Sequence, residues 1–176
     1  MHIKSFCGFV GMLSMQCLIP PLALAQENIK LSPVALPDIT VKADGKEFSI
    51  KQLISDAKVT ILHFWATWCP SCADEMPNLA KFSRELEKAG GEVASFALEN
   101  ASTEKIRGYL KKYGADDMTP YTVDRSEAMK TFGLRGIPTT LIVGKDGKLY
   151  EKWEGDRDWT QDGLAEKVLE AVKSGE

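Results

Sequence analysis

Between Lys58 and Trp65 the chain reads KVTILHFW, a run of β-branched and apolar residues interrupted by one histidine. A strand of that composition has no polar face to give to water, so it belongs inside a sheet that is covered on both sides. A short connection then leads into Cys69-Pro70-Ser71-Cys72. From Pro70 to about Ala89 the apolar period becomes helical, with Leu79, Phe82, Leu86 and Ala89 falling on one face. Pro77 is expected to kink this helix, and Gly90-Gly91 to end it.

The remaining segments supply the other layers. ITVKADGKEFSI (39–50) alternates about Asp44-Gly45 and reads as a β-hairpin. EVASFAL (92–98) is a further strand. Ser102 or Thr103 starts a helix that carries Ile106, Tyr109, Leu110 and Tyr113 on one side. YTVD is a short extended piece, and Asp124 with Glu127 caps a short helix ending near Gly133. TTLIV and KLYEKWE flank GKDGK as a second hairpin, and Leu164, Val168, Leu169 and Val172 mark a last helix. This order predicts an α/β fold: a mixed central sheet with helices on both faces and an N-terminal β-hairpin. There is no internal repeat, glycine phosphate loop or low-complexity tract.

The start of the chain reads as a secretory signal. Lys4 is a short positive region, 6–19 is apolar, Pro20-Pro21 breaks the run, and Ala23-Leu24-Ala25 offers a cleavage pattern. Cleavage is expected after Ala25, with an uncleaved membrane anchor as the alternative; a lipoprotein is disfavoured by the residues before Cys17. The division expected is therefore 1–25 signal peptide, 26–36 extended leader and 37–176 folded domain, located in the periplasm or another extracytoplasmic space. Loss of 1–25 removes Cys7, Cys17 and Lys4, leaving 21 basic against 25 acidic residues and a net charge of −4. Without a basic run, no nucleic-acid partner is indicated.

Only Cys69 and Cys72 then remain, which rules out a framework of several disulfide staples. A tight turn into a helix at Cys69 places Cys72 one turn on, with Cα atoms about 5–6 Å apart, inside the disulfide window. The helix N-terminus beside Cys69 favours thiolate over thiol, and Pro70 suits the first helical turn. An accessible nucleophilic thiolate with a partner thiol one turn deeper is the equipment of thiol–disulfide exchange. A structural disulfide closing so short a loop restrains the unfolded chain little. Zinc wants about four ligands, and His63 is the one histidine left beside the pair after processing; no metal site and no cofactor are expected.

FWATWCPSC after a buried strand, with GIPTT at 136–140, resembles the thioredoxin fold, and within it the TlpA/ResA/CcmG group of exported thiol–disulfide reductases. The resemblance runs from about Pro37 to the last helix. It implies that Cys69 attacks and Cys72 resolves, the two forming a redox-active disulfide, and that Pro138 is a cis-proline facing them. Trp68, Pro70, Ile137 and Pro138 would line the client groove. CADEMP resembles the group's Cys-x-x-Glu-x-Pro and makes Glu75 a candidate catalytic residue; Glu99 matches its second acidic position. The implied partners are client proteins with disulfides, such as apocytochrome c or copper-site proteins of oxidase assembly, and a membrane thiol-electron carrier of DsbD/CcdA type. The domain is read as a monomer.

Cytoplasmic thioredoxins carry a buried aspartate six residues before the first cysteine, where this chain has His63. Glu99, with Glu75, is expected to take over proton handling for Cys72. His63 is expected to be a packed core histidine whose replacement by Asn leaves the thiol titration close to wild type, and Trp159 to be loop packing. Two other readings of the pair stay open: a DsbA-like oxidant, against which the lack of room for an inserted helical domain counts, and a copper-binding chaperone using Cys69, Cys72 and His63. A peroxiredoxin is disfavoured by Ala66 and Leu62, which stand where that class needs threonine and proline.

Overall fold

A computed structural model of the chain describes residues 27–54 and 57–173. The segment 1–25 read as a signal lies outside the described residues. Strand β4 (Val59–Trp65) is buried along its whole length, as its composition demands. It pairs in parallel with β5 (Glu92–Ala97) on one side and antiparallel with β7 (Thr139–Gly144) on the other. Helix α1 (Pro70–Lys88) makes the crossover between the two parallel strands and runs through Pro77. Gly91 lies at its exit, where the chain passes so close to the core that a Cβ would stand 2.7 Å from Val59 Cγ1.

The sheet continues outward from this centre. β5 pairs in parallel with β6 (Tyr121–Val123). β6 then meets β2 (Thr40–Ala43), which forms the expected hairpin with β3 (Lys46–Ser49). Asp44 and Gly45, with φ of 50° and 72°, provide the two left-handed residues that a tight two-residue hairpin needs. On the far side β7 pairs with β8 (Lys148–Glu154). The described strands follow the order β1-β8-β7-β4-β5-β6-β2-β3. The stretch read as an extended leader is extended, and it is also paired: β1 (Glu27–Ala35) adds antiparallel to β8, with the register slipping between Lys30 and Val34. Pro33 falls in that slip, where a missing N–H does no harm.

Alternation along β4 divides the core. Val59, Ile61 and Trp65 face a layer made by α1, α2 (Thr103–Lys112) and α4 (Leu164–Lys173). Leu62 and Phe64 face the opposite layer, where α3 (Arg125–Phe132) and the turn at Ile50–Leu53 pack. Helices therefore cover both faces of a mixed sheet. The short helices start where their caps predict: Ser102 accepts from Lys105 N–H, and Asp124 from Glu127 N–H at 2.8 Å. Gly133, at φ 58°, closes α3 in the left-handed region. Among the described residues, no helix is long and apolar enough to cross a membrane.

Candidate active site

The parallel pair β4–β5 ends together, with Trp65 opposite Ala97 and Leu98 N–H donating to the Trp65 carbonyl at 2.8 Å. Ligand and catalytic groups of α/β sheets gather beyond such carboxyl ends. Here the chain leaves β4, turns so that Cys69 N–H reaches the Ala66 carbonyl at 3.2 Å, and enters α1. Cys69 is the N-cap residue, with extended φ and ψ, and Pro70 occupies the first helical turn. Cys69 Sγ accepts from Cys72 N–H at 3.3 Å, so the sulfur sits on the orphan donors of the helix end.

Cys69 and Cys72 are joined as a disulfide with Cα atoms 5.3 Å apart, within the range the helical spacing implies. Cys72 is wholly buried and Cys69 is 6% exposed. The attacking sulfur is thus more covered than the sequence suggests, yet the asymmetry keeps its sign. Ser71 Oγ lies 3.5 Å from Cys69 Sγ, and the Ile137 carbonyl oxygen 4.0 Å from it. The Ile137–Pro138 bond is cis. Its loop is held by Thr139 Oγ1 donating to Gly136 O and Gly155 N–H donating to Pro138 O. Trp68, 53% exposed, stands at the rim with the Arg125 guanidinium 5.0 Å from its ring centre; Pro70 beside it is exposed. The structure therefore brings Trp68, Cys69, Pro70 and Ile137 together at the end of α1.

The two candidate carboxylates have different surroundings. Glu99, just past β5, accepts from Thr67 N–H at 2.7 Å, from Thr67 Oγ1 at 3.0 Å and from Lys105 Nζ at 3.0 Å. It clamps the turn that carries Trp68 and Cys69. Burial works against its charge, but the Thr67 and Lys105 donors outweigh this and hold its carboxyl below the ordinary value. Glu75 is buried one turn beyond Cys72. Its Oε2 accepts from Trp159 Nε1 at 2.8 Å and from Arg157 N–H at 3.0 Å. Its Oε1 lies 3.3 Å from His63 Nε2, a close polar contact without the alignment of a full hydrogen bond. Desolvation opposes ionisation here too, yet His63, Trp159 and Arg157 together lower the Glu75 pKa.

Sequence reasoning missed three of these contacts. Trp159 is not simply loop packing: it is buried, holds Glu75, and packs its ring, tilted, with its centre 5.2 Å from that of Phe82. Arg157 belongs to the same cluster, its guanidinium 3.8 Å from the Trp153 ring centre. His63 is the one whose partner was foreseeable, because its parity with Ile61 and Trp65 aims it at α1.

A pH dependence follows. Both carboxyls have folded pKa values below the ordinary 4.5, so the fold binds their ionised forms more strongly than the unfolded chain does. That stability is complete above the unfolded value and is lost as pH falls through the lowered folded values. Urea unfolding between about pH 3 and pH 6 should show stability declining with acid, and a shallower decline in Glu75→Gln. Equal slopes for the two proteins would refute the Glu75 contribution.

The Redoxin family model matches residues 32–172. The thiol-disulfide oxidoreductase ResA of Bacillus thuringiensis subsp. konkukian is 28% identical over 153 residues, spanning 86% of this chain and 83% of that protein. The thiol:disulfide interchange protein DsbE of Allochromatium vinosum is 30% identical over 150 residues, spanning 77% and 78%. Among solved structures, a putative thiol:disulfide interchange protein DsbE from Chlorobium tepidum superposes with a TM-score of 0.67 at 21% identity, covering 82% of this chain and 99% of that one. That likeness shows the thioredoxin-type fold; the sequence relatives carry the chemistry.

Proposed function

The chain belongs to the Redoxin family, among its TlpA/ResA/CcmG-like thiol–disulfide oxidoreductases, and from that membership we propose that it works outside the cytoplasm as a reductant of client-protein disulfides. The observation that carries this reading is the Cys69–Cys72 disulfide at the N-terminus of α1, opposite the cis Ile137–Pro138 bond. In the reduced enzyme the Cys69 thiolate attacks one sulfur of a client disulfide. A Cys69–client bond forms, and the other client sulfur leaves as a thiolate that takes a proton from water. Cys72, once ionised, attacks Cys69 Sγ; the enzyme disulfide forms and the second client sulfur leaves. Two electrons pass from the enzyme dithiol to the client, and an external dithiol carrier restores the enzyme.

The rim of Trp68, Pro70, Ile137 and Pro138 is the client groove in this proposal. Glu99 positions the cysteine turn through Thr67. Glu75, on the helix face of Cys72, influences the ionisation of that thiol by its charge; a carboxyl with a lowered pKa is a weak base, so the proton itself goes to water. Export is supported by the signal-like residues 1–25. Disulfide-bearing apocytochrome c or copper-site proteins, a membrane thiol-electron carrier and a monomeric state complete the reading.

Direction of electron flow is the decisive measurement. Equilibration with glutathione buffers should give a potential below roughly −180 mV, on the reducing side of protein disulfide isomerase. A value near −120 mV, that of a strong oxidant, would assign the enzyme to disulfide formation instead.

A further inference from the structure

His63 is wholly buried in the middle of β4, between Thr140 of β7 and Glu75 of α1. Its Nδ1 lies 3.0 Å from Thr140 Oγ1 and its Nε2 3.3 Å from Glu75 Oε1. Neither Nε2 nor Oε1 has another polar partner, and the second Glu75 oxygen accepts from Arg157 N–H and Trp159 Nε1. The Trp159 ring closes the site edge-on, 5.9 Å from the imidazole. Held 3.3 Å from a carboxylate oxygen and away from water, Nε2 is favourable as an N–H and unfavourable as a bare lone pair, although the contact lacks the alignment of a full hydrogen bond. Thr140 fits either charge state, since its hydroxyl donates to Nδ1 of a neutral ring or accepts from Nδ1–H of a charged one.

The other groups facing this pair are few. Arg157 is drawn to Glu75 and Glu151 from the segment after β8. β5 brings Ser95 into register beside His63, and α1 brings Cys72. Cys72 and Glu75 are three apart on one helix and both buried, which sets their Cβ atoms about 5–6 Å from each other. When Cys72 ionises for the resolving attack, its charge therefore appears beside that of Glu75.

We propose that His63 is a positioning residue for the dithiol: by keeping its Nε2–H edge against Glu75 Oε1, it offsets the carboxylate next to Cys72 and leaves Cys72 able to ionise. The Cys72 proton goes to water, and His63 neither gains nor loses one in the step. This reverses the sequence expectation that His63 only packs. It rests on the dithiol reading for its consequence, but not for its measurement, which needs no client.

The test is a double-mutant cycle on the reduced full chain, with 13C-labelled cysteine Cβ shifts reporting each thiol separately. His63→Asn should raise the Cys72 thiol pKa by about 1 unit, through the uncompensated like charge of Glu75. In a Glu75→Gln background the same substitution should leave it unmoved. No shift in the first case, or an equal shift in both, would overturn the proposal. Should His63→Asn not fold, the His2→Gln protein reads the same contact, since His63 is then its one histidine. Its 15N imidazole Nε2 signal should move across the Cys72 titration, and a signal that stays fixed would overturn the proposal. Failure of the reductase reading would look different: no turnover of a disulfide client, with the cycle intact.

Discussion

Cys69→Ser abolishes reduction of a model disulfide, with a loss on the order of 10³-fold or more, while Cys72→Ser accumulates a mixed disulfide with its client. The difference follows from position. Cys69 Sγ caps α1 and retains some exposure, whereas Cys72 is fully covered one turn inside. Only Cys69 combines access with the donors of the helix end, so its thiolate is the more populated. In the reduced single variants, iodoacetamide should modify Cys69 about tenfold or more faster than Cys72. Without Cys72 nothing expels the client from Cys69, so the covalent complex survives non-reducing electrophoresis and its partner can be identified by mass. Equal alkylation rates would undo the assignment of attacking and resolving roles.

Phe82→Ala should lower stability by about 3–5 kcal/mol, the usual cost of emptying a buried aromatic site. For a chain of this size that is a fall in Tm on the order of 10 °C. Phe82 is 1% exposed on the inner face of α1, with its ring 5.2 Å from that of Trp159. The cavity would open under the side chain whose N–H holds Glu75, so the loss reaches the site without touching either sulfur. Calorimetry of the oxidised protein is the check. A fall of less than about 3 °C would mean that Trp159 does not depend on Phe82 for its support.

The strand–turn–helix unit and the cysteine pair were legible because their causes are local. An apolar strand, a capping sulfur, Pro70 and an i, i+3 spacing specify the Cys69–Cys72 geometry within a few residues. The Asp44-Gly45 hairpin and the caps at Ser102 and Asp124 are legible for the same reason, since each side chain satisfies backbone groups within a turn of itself. The family resemblance pointed to Glu75, Glu99 and Pro138, but not to what surrounds them.

Those surroundings belong to tertiary structure. Glu75 meets Trp159 and Arg157 across 84 and 82 residues of chain, and Glu99 meets Thr67 across 32. In the sequence each of these acids looks the same as a solvated one. Parity along β4 turns His63 toward the α1 layer, but which residue of α1 meets it, and whether that carboxyl faces water instead, depends on how α1 lies over the sheet, which a local pattern does not encode. The pairing of β1 with β8 is of the same kind: alternation and composition mark 27–35 as extendable, but a free edge elsewhere in the fold decides that it becomes a strand.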